Sequence, residues 1–236
     1  MLVNGISGMG KSTAVNLIVK ELYDRQKNIV YIDFSNSDSE EKLERSGFDR
    51  KFLGEHFCHM SISKCLDDDE ELDSALSLMK SDRIILIFEA EKYDKDTEQF
   101  LDILYSKVVS DSTLSIFLVI DEAHDLDFKK GSVLYNIMEK GRGNGISLIS
   151  IFQGPHETTP RQYSMMNQAE LKLIFRLSDK IDAHKVAEAD SLKPLGEFAV
   201  KMMNLKKKKC LAIGSLESDD GELYSGRFIE ITITDI

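Results

Sequence analysis

The sequence predicts an α/β fold in which helices cover both faces of a mostly parallel sheet. Two observations support this fold class. Short runs rich in Ile, Val, Leu and Phe recur without polar alternation, as is typical of strands buried on both faces of a parallel sheet. Helical patterns alternate with these runs, which favours parallel strand connections. The predicted strands are 28–34, 83–89, 114–122, 146–153 and 171–178, and the predicted helices are 12–25, 94–109, 131–140 and 179–189.

Two segments interrupt this alternation. Residues 35–82 are polar and charge-rich and predict an insertion. Their acidic run, Asp67 to Asp73, is interpreted as a solvated helix start, because carboxylates stabilise the first turn of a helix. A cation site is the alternative interpretation of the same run. Residues 191–236 contain strand-like pieces separated by polar turns, which indicates a hairpin with a further strand.

Composition limits the function classes. The chain has 236 residues, with 41 acidic and 30 basic side chains and a net charge of -11, so any nucleic-acid contact requires a local basic patch. Three irregularly spaced cysteines indicate no disulfide framework and favour a reducing, cytoplasmic location. No apolar run approaches the roughly 18 residues of a membrane span. Residues 1–4 already resemble the end of a buried strand, so we expect the chain to be a fragment of a longer protein.

The segment GISGMGKS, from Gly5 to Ser12, matches the phosphate-binding pattern G-x-x-x-x-G-K-[ST] between a strand and a helix. Glycines let backbone N–H groups turn toward phosphate oxygens, and the positive end of the following helix adds to the attraction. Lys11 is expected to reach the β- and γ-phosphates of ATP, and the Ser12 hydroxyl to hold Mg²⁺. A Gly-rich turn without a ligand is the alternative. The predicted nucleotide-binding residues are Gly5, Ser7, Gly8, Met9, Gly10, Lys11, Ser12 and Thr13.

Two acids, Asp121 and Glu122, stand at the end of a predicted buried strand. Asp121 is expected to bind the Mg²⁺ shell mostly through water, because Mg²⁺ retains several of its waters. Glu122 is expected to polarise the attacking water as general base. His124 either couples hydrolysis to movement or has no special role. The letters DEAH suggest a helicase, but such helicases carry two RecA-like halves and this chain has room for one.

An arginine between glycines precedes the strand that ends at Gln153. Gln153 is expected to reach the γ-phosphate or the attacking water. Arg142 lies at the opposite end of this strand, more than ~20 Å away at about 3.3 Å per residue, so we expect it to serve a neighbouring copy. The flanking glycines are expected to let Arg142 swing between two positions. An arginine on a surface turn is the alternative.

The phosphate cradle, LVIDEAHDL, EKGRGNGISLISIFQ and LKLIFRLSD resemble, in order and spacing, the motifs of the HerA/FtsK superfamily of hexameric DNA-pumping ATPases. Conjugative coupling and type IV secretion ATPases belong to the same superfamily. The resemblance covers residues 2 to about 215 and implies a RecA-like P-loop NTPase fold. It also implies a trans-acting finger at Arg142, a sensor at Gln153, a catalytic acid at Glu122 and an arginine facing the neighbouring subunit at Arg176.

This resemblance predicts one RecA-like domain over residues 1–236. Within it, residues 1–34 form the P-loop unit, 35–82 the polar insertion, 83–190 the core with the Walker B strand, finger and sensor, and 191–236 the C-terminal β extension. The run IDFSNSDSE replaces a family run similar to Asp-Pro-His-Gly-Glu, so we expect the usual role of that run to be lost or altered. The barrel or membrane segment that usually precedes the P-loop is not in this sequence. HerA-like domains also occur in bacterial defence proteins, including those of phosphorothioate-dependent restriction, so partner domains or nuclease subunits are possible.

Three smaller groups each have two interpretations. A set of histidines and cysteines, which matches no standard zinc spacing, is either a metal site or a mixture of buried thiols and surface histidines. The run Lys206 to Lys209 is either a solvated turn between two strands or a contact to DNA phosphates. Lys129 and Lys130 are candidates for a pore loop, because family members line the central channel from that rim. The histidines and cysteines are His56, Cys58, His59 and Cys65.

The sequence therefore predicts a Mg-ATP-hydrolysing motor domain that forms a ring, expected to be a hexamer, and translocates or remodels double-stranded DNA. An ATP-gated assembly switch in a DNA-defence or signalling complex is the alternative, because the same motifs serve both functions. A kinase using the same cradle ranks last, since the chain lacks the arginine-rich lid expected of one.

Overall fold

The computed structural model describes residues 1–34, 44, 50–90, 94–121, 123, 131–153, 169–190, 192–217 and 223–233. These residues divide into two compact units. The first unit comprises Met1–Ala14 and Ile151–Ile236, and the second comprises Val15–Ser150. No helix within the described ranges is long and apolar enough to cross a membrane.

Parallel strands form the centre of the second unit. Their order is β3-β4-β2-β5-β6, and each neighbouring pair is parallel. Side chains of β2, β4 and β5 are buried along almost the whole strand, which confirms the prediction of a parallel sheet from uninterrupted apolar runs. The strands are β2 (Asn28–Asp33), β3 (Phe57–Ser61), β4 (Ile85–Glu89), β5 (Ile116–Asp121) and β6 (Ile146–Gln153), of which residues 146–150 pair with β5.

Two of the helices around these strands begin at aspartate caps. The Asp68 carboxylate accepts a hydrogen bond from the Glu70 N–H, so the acidic run does begin a helix. Asp94 caps the helix Lys95–Ser110 (α5) in the same way, and this helix packs Phe100 against Phe88 with ring centroids 4.5 Å apart. The helices are α1 (Lys11–Asp24), α2 (Arg50–His56), α3 (Ile62–Asp67), α4 (Asp69–Asp82), α5 (Lys95–Ser110) and α6 (Val133–Lys140).

Strand β3 was not predicted, because residues 35–82 were interpreted as a polar insertion. In the structure β3 pairs with β4 at the edge of the sheet, with Phe57 opposite Ile85. Phe57 is its buried residue, and the four that follow are partly or largely exposed. An edge strand with mixed exposure lacks the apolar run that marks a central strand. Residues 35–43 and 45–49 of this segment lie outside the described residues.

The first unit contains four strands in the order β1-β7-β8-β9. β1 and β7 are parallel, whereas β7–β8 and β8–β9 are antiparallel, which confirms the predicted C-terminal hairpin. The elements of this unit are β1 (Leu2–Gly5), β7 (Leu171–Ile174), α7 (Lys180–Ala189), α8 (Leu195–Met203), β8 (Lys209–Glu217) and β9 (Leu223–Thr232).

The prediction of a strand before the lysine run was wrong. Residues Leu195–Met203 form helix α8, which buries Phe198, Ala199 and Met202 on one side. A short apolar run does not by its period alone distinguish a buried strand from a helix. The spacing of these three buried residues is that of one helical face. The lysine run Lys206 to Lys209 therefore connects a helix to β8 and is not a turn between two strands.

Candidate nucleotide-binding site

The phosphate-binding pattern forms a loop between β1 and α1, as predicted. β1 is buried throughout and pairs with β7, and the Ile6 N–H donates to the Arg176 carbonyl oxygen at 3.0 Å. Gly8 and Gly10 have φ angles of +75° and +98°, a left-handed conformation that side chains disfavour. In the described part of the chain, no atom lies within 4 Å of where a Cβ on Gly8 would stand. The loop thus borders open space at the start of a helix.

Lys11 points into this loop. Only 6% of the residue is exposed, and its Nζ donates to the carbonyl oxygens of Gly5 and Ile6 at 2.7 and 2.9 Å. These two carbonyl acceptors are neutral, whereas an anionic oxygen forms shorter and stronger charge-assisted bonds with an ammonium group. Open space beside Gly8, a helix N-terminus and a buried ammonium group together fit a phosphate group.

The remaining residues of the pattern lie in the loop and in the first turn of α1. Ser7 is exposed, Met9 is buried, and Ser12 and Thr13 are half-buried in the first turn of α1. The Ser12 hydroxyl is an oxygen donor of the kind that Mg²⁺ accepts in P-loop proteins.

Asp121 ends β5 at the carboxyl edge of the second unit's sheet, and it is buried. The Tyr31 hydroxyl donates to Asp121 Oδ2 at 3.3 Å. Asp33, which sequence analysis did not single out, pairs in register with Asp121 and is equally buried. Carboxylate oxygens are suitable ligands for Mg²⁺. Asp33, like Asp121, is an acid at the end of an apolar strand, and this pattern in the sequence could have identified it as a candidate site residue. Glu122 and His124 lie outside the described residues, so their roles stay predictions.

Arg142 is exposed and lies in a 3₁₀ turn, Gly141–Asn144, that joins α6 to β6. Its turn sits at the amino edge of the second unit's sheet, because Ile146 is paired with Ile116 at the beginning of β5. Asp121 lies five residues beyond Ile116 on β5, which corresponds to about 17 Å at about 3.3 Å per residue. Arg142 and Asp121 therefore occupy opposite edges of one sheet. β6 does extend to Gln153 as predicted, but the Gln153 side chain is not among those described.

The turn around Arg142 is held by hydrogen bonds at Gly145 and Asn144, and whether its glycines let Arg142 swing stays a prediction. The Gly145 N–H donates to the Arg142 carbonyl oxygen, and the Gly145 carbonyl oxygen accepts from the Ile116 N–H at 2.8 Å. Asn144 Nδ2 donates to the Tyr105 hydroxyl oxygen at 2.7 Å. A Cβ on Gly145 would lie 2.8 Å from the Leu114 carbonyl oxygen, and Gly145 has a φ of +84°. Close packing and a left-handed backbone explain this glycine.

A pair of glycine variants tests this interpretation. Gly145→Ala is expected to lower the free energy of unfolding by about 2 kcal/mol or more, through left-handed strain and the close carbonyl contact. Gly143→Ala is expected to be neutral or slightly stabilising, since Gly143 lacks a positive φ and no described atom is within 4 Å of its Cβ position. Urea unfolding of both variants measures the difference. Equal stability of the two would contradict the assignment.

The histidines and cysteines considered as a metal site have different partners in the structure. His56 Nδ1 shares a hydrogen bond with the Tyr23 hydroxyl at 2.9 Å, and His59 Nδ1 lies 3.3 Å from Glu89 Oε1. Cys65 is buried, and its burial is the main reason why the pKa of its thiol is raised to about 11. Arg176 is exposed. Lys129 and Lys130 lie outside the described residues.

The likeness to solved structures is confined to the fold. No protein-family model matches the chain, and no curated protein matches it. A genome-packaging NTPase, B204 of Sulfolobus turreted icosahedral virus 2 in complex with ATP-gammaS, is 16% identical, with 94% of each chain covered and a TM-score of 0.62. VirB4 of Thermoanaerobacter pseudethanolicus is 12% identical, with 100% of this chain and 89% of that chain covered and a TM-score of 0.65.

A third solved structure supports the same fold. The bacterial conjugative coupling protein TrwB is 12% identical, with 98% of this chain and 83% of that chain covered and a TM-score of 0.56. The chain is thus similar in fold to each of these three proteins over nearly its whole length. Together with the strand order and the loop around Lys11, these likenesses show that the chain has a mostly parallel, RecA-like P-loop NTPase fold.

Proposed function

We propose that this chain is an ATP-hydrolysing motor domain of the HerA/FtsK type that forms a ring, expected to be a hexamer, and translocates or remodels double-stranded DNA. The observation that carries this proposal is the P-loop around Lys11, whose ammonium group is buried among backbone carbonyl oxygens at the start of α1. Similar folds in a viral genome-packaging NTPase and a conjugative coupling protein support the class of motor. A cytoplasmic location and a restriction or defence system as the wider context are parts of the same proposal.

The P-loop is proposed to bind the triphosphate through its backbone N–H groups and Lys11. Lys11 then exchanges its two carbonyl acceptors for phosphate oxygens, and the helix start favours the same negative charge. The Ser12 hydroxyl and the Asp121 carboxylate are proposed to hold Mg²⁺, which when bound neutralises charge that develops on the phosphate oxygens. Glu122 is proposed as the general base and Gln153 as the group that senses the γ-phosphate.

Arg142 is proposed to act in trans. Its turn lies at the amino edge of the sheet whose carboxyl edge carries Asp121, and both edges belong to the same unit. A side chain does not span the length of a strand, so Arg142 is proposed to complete the site of the neighbouring subunit. There its guanidinium stabilises the charge of the transferring phosphoryl group.

The alternative is an ATP-gated assembly switch that does not pump DNA. The net charge of -11 favours it, because a strongly acidic chain repels DNA unless a local basic patch attracts the phosphates. The two functions differ in how ATP turnover depends on DNA. Turnover measured against protein concentration, with and without duplex DNA, separates them. A rate that rises steeply with concentration and again with DNA supports the motor, and a rate unchanged by DNA supports the switch.

Lys11→Ala is expected to weaken ATP binding by about 10²-fold or more, because it removes the one ammonium group inside the described P-loop. Lys20→Ala is the matched control: Lys20 lies on the same helix, and its exposed ion pair with Asp24 has no role in the loop. Titration with a fluorescent ATP analogue measures both affinities, and thermal unfolding verifies that both variants fold. Wild-type affinity in Lys11→Ala would overturn the proposed site.

A further inference from the structure

The lysine run Lys206 to Lys209 lies against the P-loop. The Lys208 N–H donates to the Met9 carbonyl oxygen at 2.9 Å, and both residues belong to the first unit. Met9 stands two positions before Lys11 in the phosphate-binding pattern. The turn that enters β8 is therefore attached by its backbone to the loop that we propose binds the triphosphate.

The Lys208 side chain also passes close to this loop. A Cβ placed on Gly10 would lie 3.5 Å from both Cα and Cγ of Lys208. The first carbons of the lysine side chain thus cover Gly10, the residue immediately before Lys11. The long flexible stem of a lysine can carry its ammonium group several ångströms beyond these carbons.

The four lysines of the run have different surroundings. Lys209 Nζ donates to Glu230 Oε1 at 3.0 Å, and this hydrogen bond is the main reason why the pKa of Glu230 is lowered. Lys206 and Lys207 are exposed. Lys208 is half-buried, and its carbonyl oxygen accepts from the Ile233 N–H at 2.7 Å. Its backbone is thereby held on both sides, between Met9 and Ile233.

The backbone of Lys208 is itself unusual. Its φ angle is +61°, in the left-handed region where glycine and asparagine are the favoured residues. A lysine in this position gives up backbone stability relative to those residues.

We propose that Lys208 is a further nucleotide-binding residue, which brings a cation from the C-terminal turn to the phosphates held by the P-loop. The inference rests on the proposed function, because it assumes that the P-loop binds a nucleoside di- or triphosphate. It assigns one member of the lysine run to the nucleotide and leaves DNA contact as an outcome of the test. The Lys208 carbonyl oxygen also accepts a hydrogen bond from the Ile233 N–H, just after β9. In this proposal the nucleotide and the end of β9 therefore contact the same residue.

The variant Lys208→Asn tests the proposal without disturbing the turn, because asparagine tolerates the left-handed backbone. ATP and ADP affinities, measured with fluorescent analogues, are expected to fall about tenfold, as for the loss of one charge-assisted contact. Lys208→Arg is expected to retain most of the affinity. Lys207→Asn is the matched control, since it removes the same charge from an exposed neighbour in the same turn. Thermal unfolding of each variant verifies the fold.

The outcomes distinguish this inference from the proposed function. If Lys208→Asn binds ATP like the wild type while Lys11→Ala does not bind, the inference is wrong and the proposed function stands. If Lys11→Ala also binds normally, both are wrong. Equal losses in Lys208→Asn and Lys207→Asn indicate a general charge effect and overturn the inference. Weaker duplex DNA binding with unchanged ATP affinity in Lys208→Asn assigns the lysine to DNA and also overturns it.

Discussion

Arg142→Ala is expected to reduce ATP turnover by about 10³- to 10⁵-fold while ATP affinity stays near that of the wild type. Arg142 lies at the amino edge of the second unit's sheet, opposite the edge that carries Asp121, and for this reason we expect it to act on a neighbouring subunit. An arginine in trans acts on charge that develops in the transition state, so its loss affects the catalytic step more than binding. Steady-state turnover and titration with a non-hydrolysable ATP analogue measure the two quantities.

A mixing experiment shows directly whether Arg142 acts on a neighbour. Arg142→Ala keeps an intact P-loop, and Lys11→Ala keeps an intact arginine, so each variant alone is expected to be nearly inactive. Mixed assemblies place some intact P-loops beside intact arginines, and turnover is expected to recover to a clearly measurable fraction of the wild-type rate. Lys140→Ala is the control, since Lys140 is an exposed cation at the end of α6, beside the same turn.

Two results would contradict the trans assignment. One is wild-type turnover by Arg142→Ala at every protein concentration. The other is a lack of recovery in mixtures that size-exclusion chromatography shows to be co-assembled. Lys140→Ala losing as much activity as Arg142→Ala would indicate that the general charge of this edge matters and not the guanidinium group.

The central strands were predictable because burial on both faces leaves a plain sequence signal. β2, β4 and β5 lie in runs of Ile, Val, Leu and Phe, and their predicted positions agree with the structure to within a few residues. β3 and α8 were missed for two different reasons. β3 is an edge strand with exposed polar residues, and the short apolar run of α8 has no unambiguous period.

The candidate site was predictable where local pattern determines geometry. The P-loop follows from its own eight residues, which place Lys11 at the start of α1. Contacts between distant segments were not predictable in the same way. The glycine at 145 was interpreted as a hinge because the Leu114 carbonyl oxygen, which excludes a side chain there, is 31 positions away in sequence. Lys208 was interpreted as part of a solvated turn because its partner, Met9, is at the other end of the chain.

The buried ion pair of the first unit gives the second large expected effect. Lys172 Nζ donates to Asp190 Oδ1, and the two side chains are only 5% and 10% exposed. Lys172 belongs to β7 opposite Leu2 of β1, the strand that leads into the P-loop, and Asp190 follows the end of α7. The pair therefore connects α7 to β7, the strand that pairs with β1. The second carboxylate oxygen of Asp190 has no hydrogen-bond partner among the described residues.

Lys172→Met is expected to lower the free energy of unfolding by about 3–5 kcal/mol, because it leaves the Asp190 carboxylate buried without a cation. The double variant Lys172→Met with Asp190→Leu is expected to recover most of that loss, since it also removes the uncompensated charge. Lys201→Met is the control, because its ion pair with Glu230 is about one-third exposed and is expected to contribute less than about 1 kcal/mol. Urea unfolding measures all three. A single Lys172→Met variant as stable as Lys201→Met would show that this pair does not hold α7 against β7.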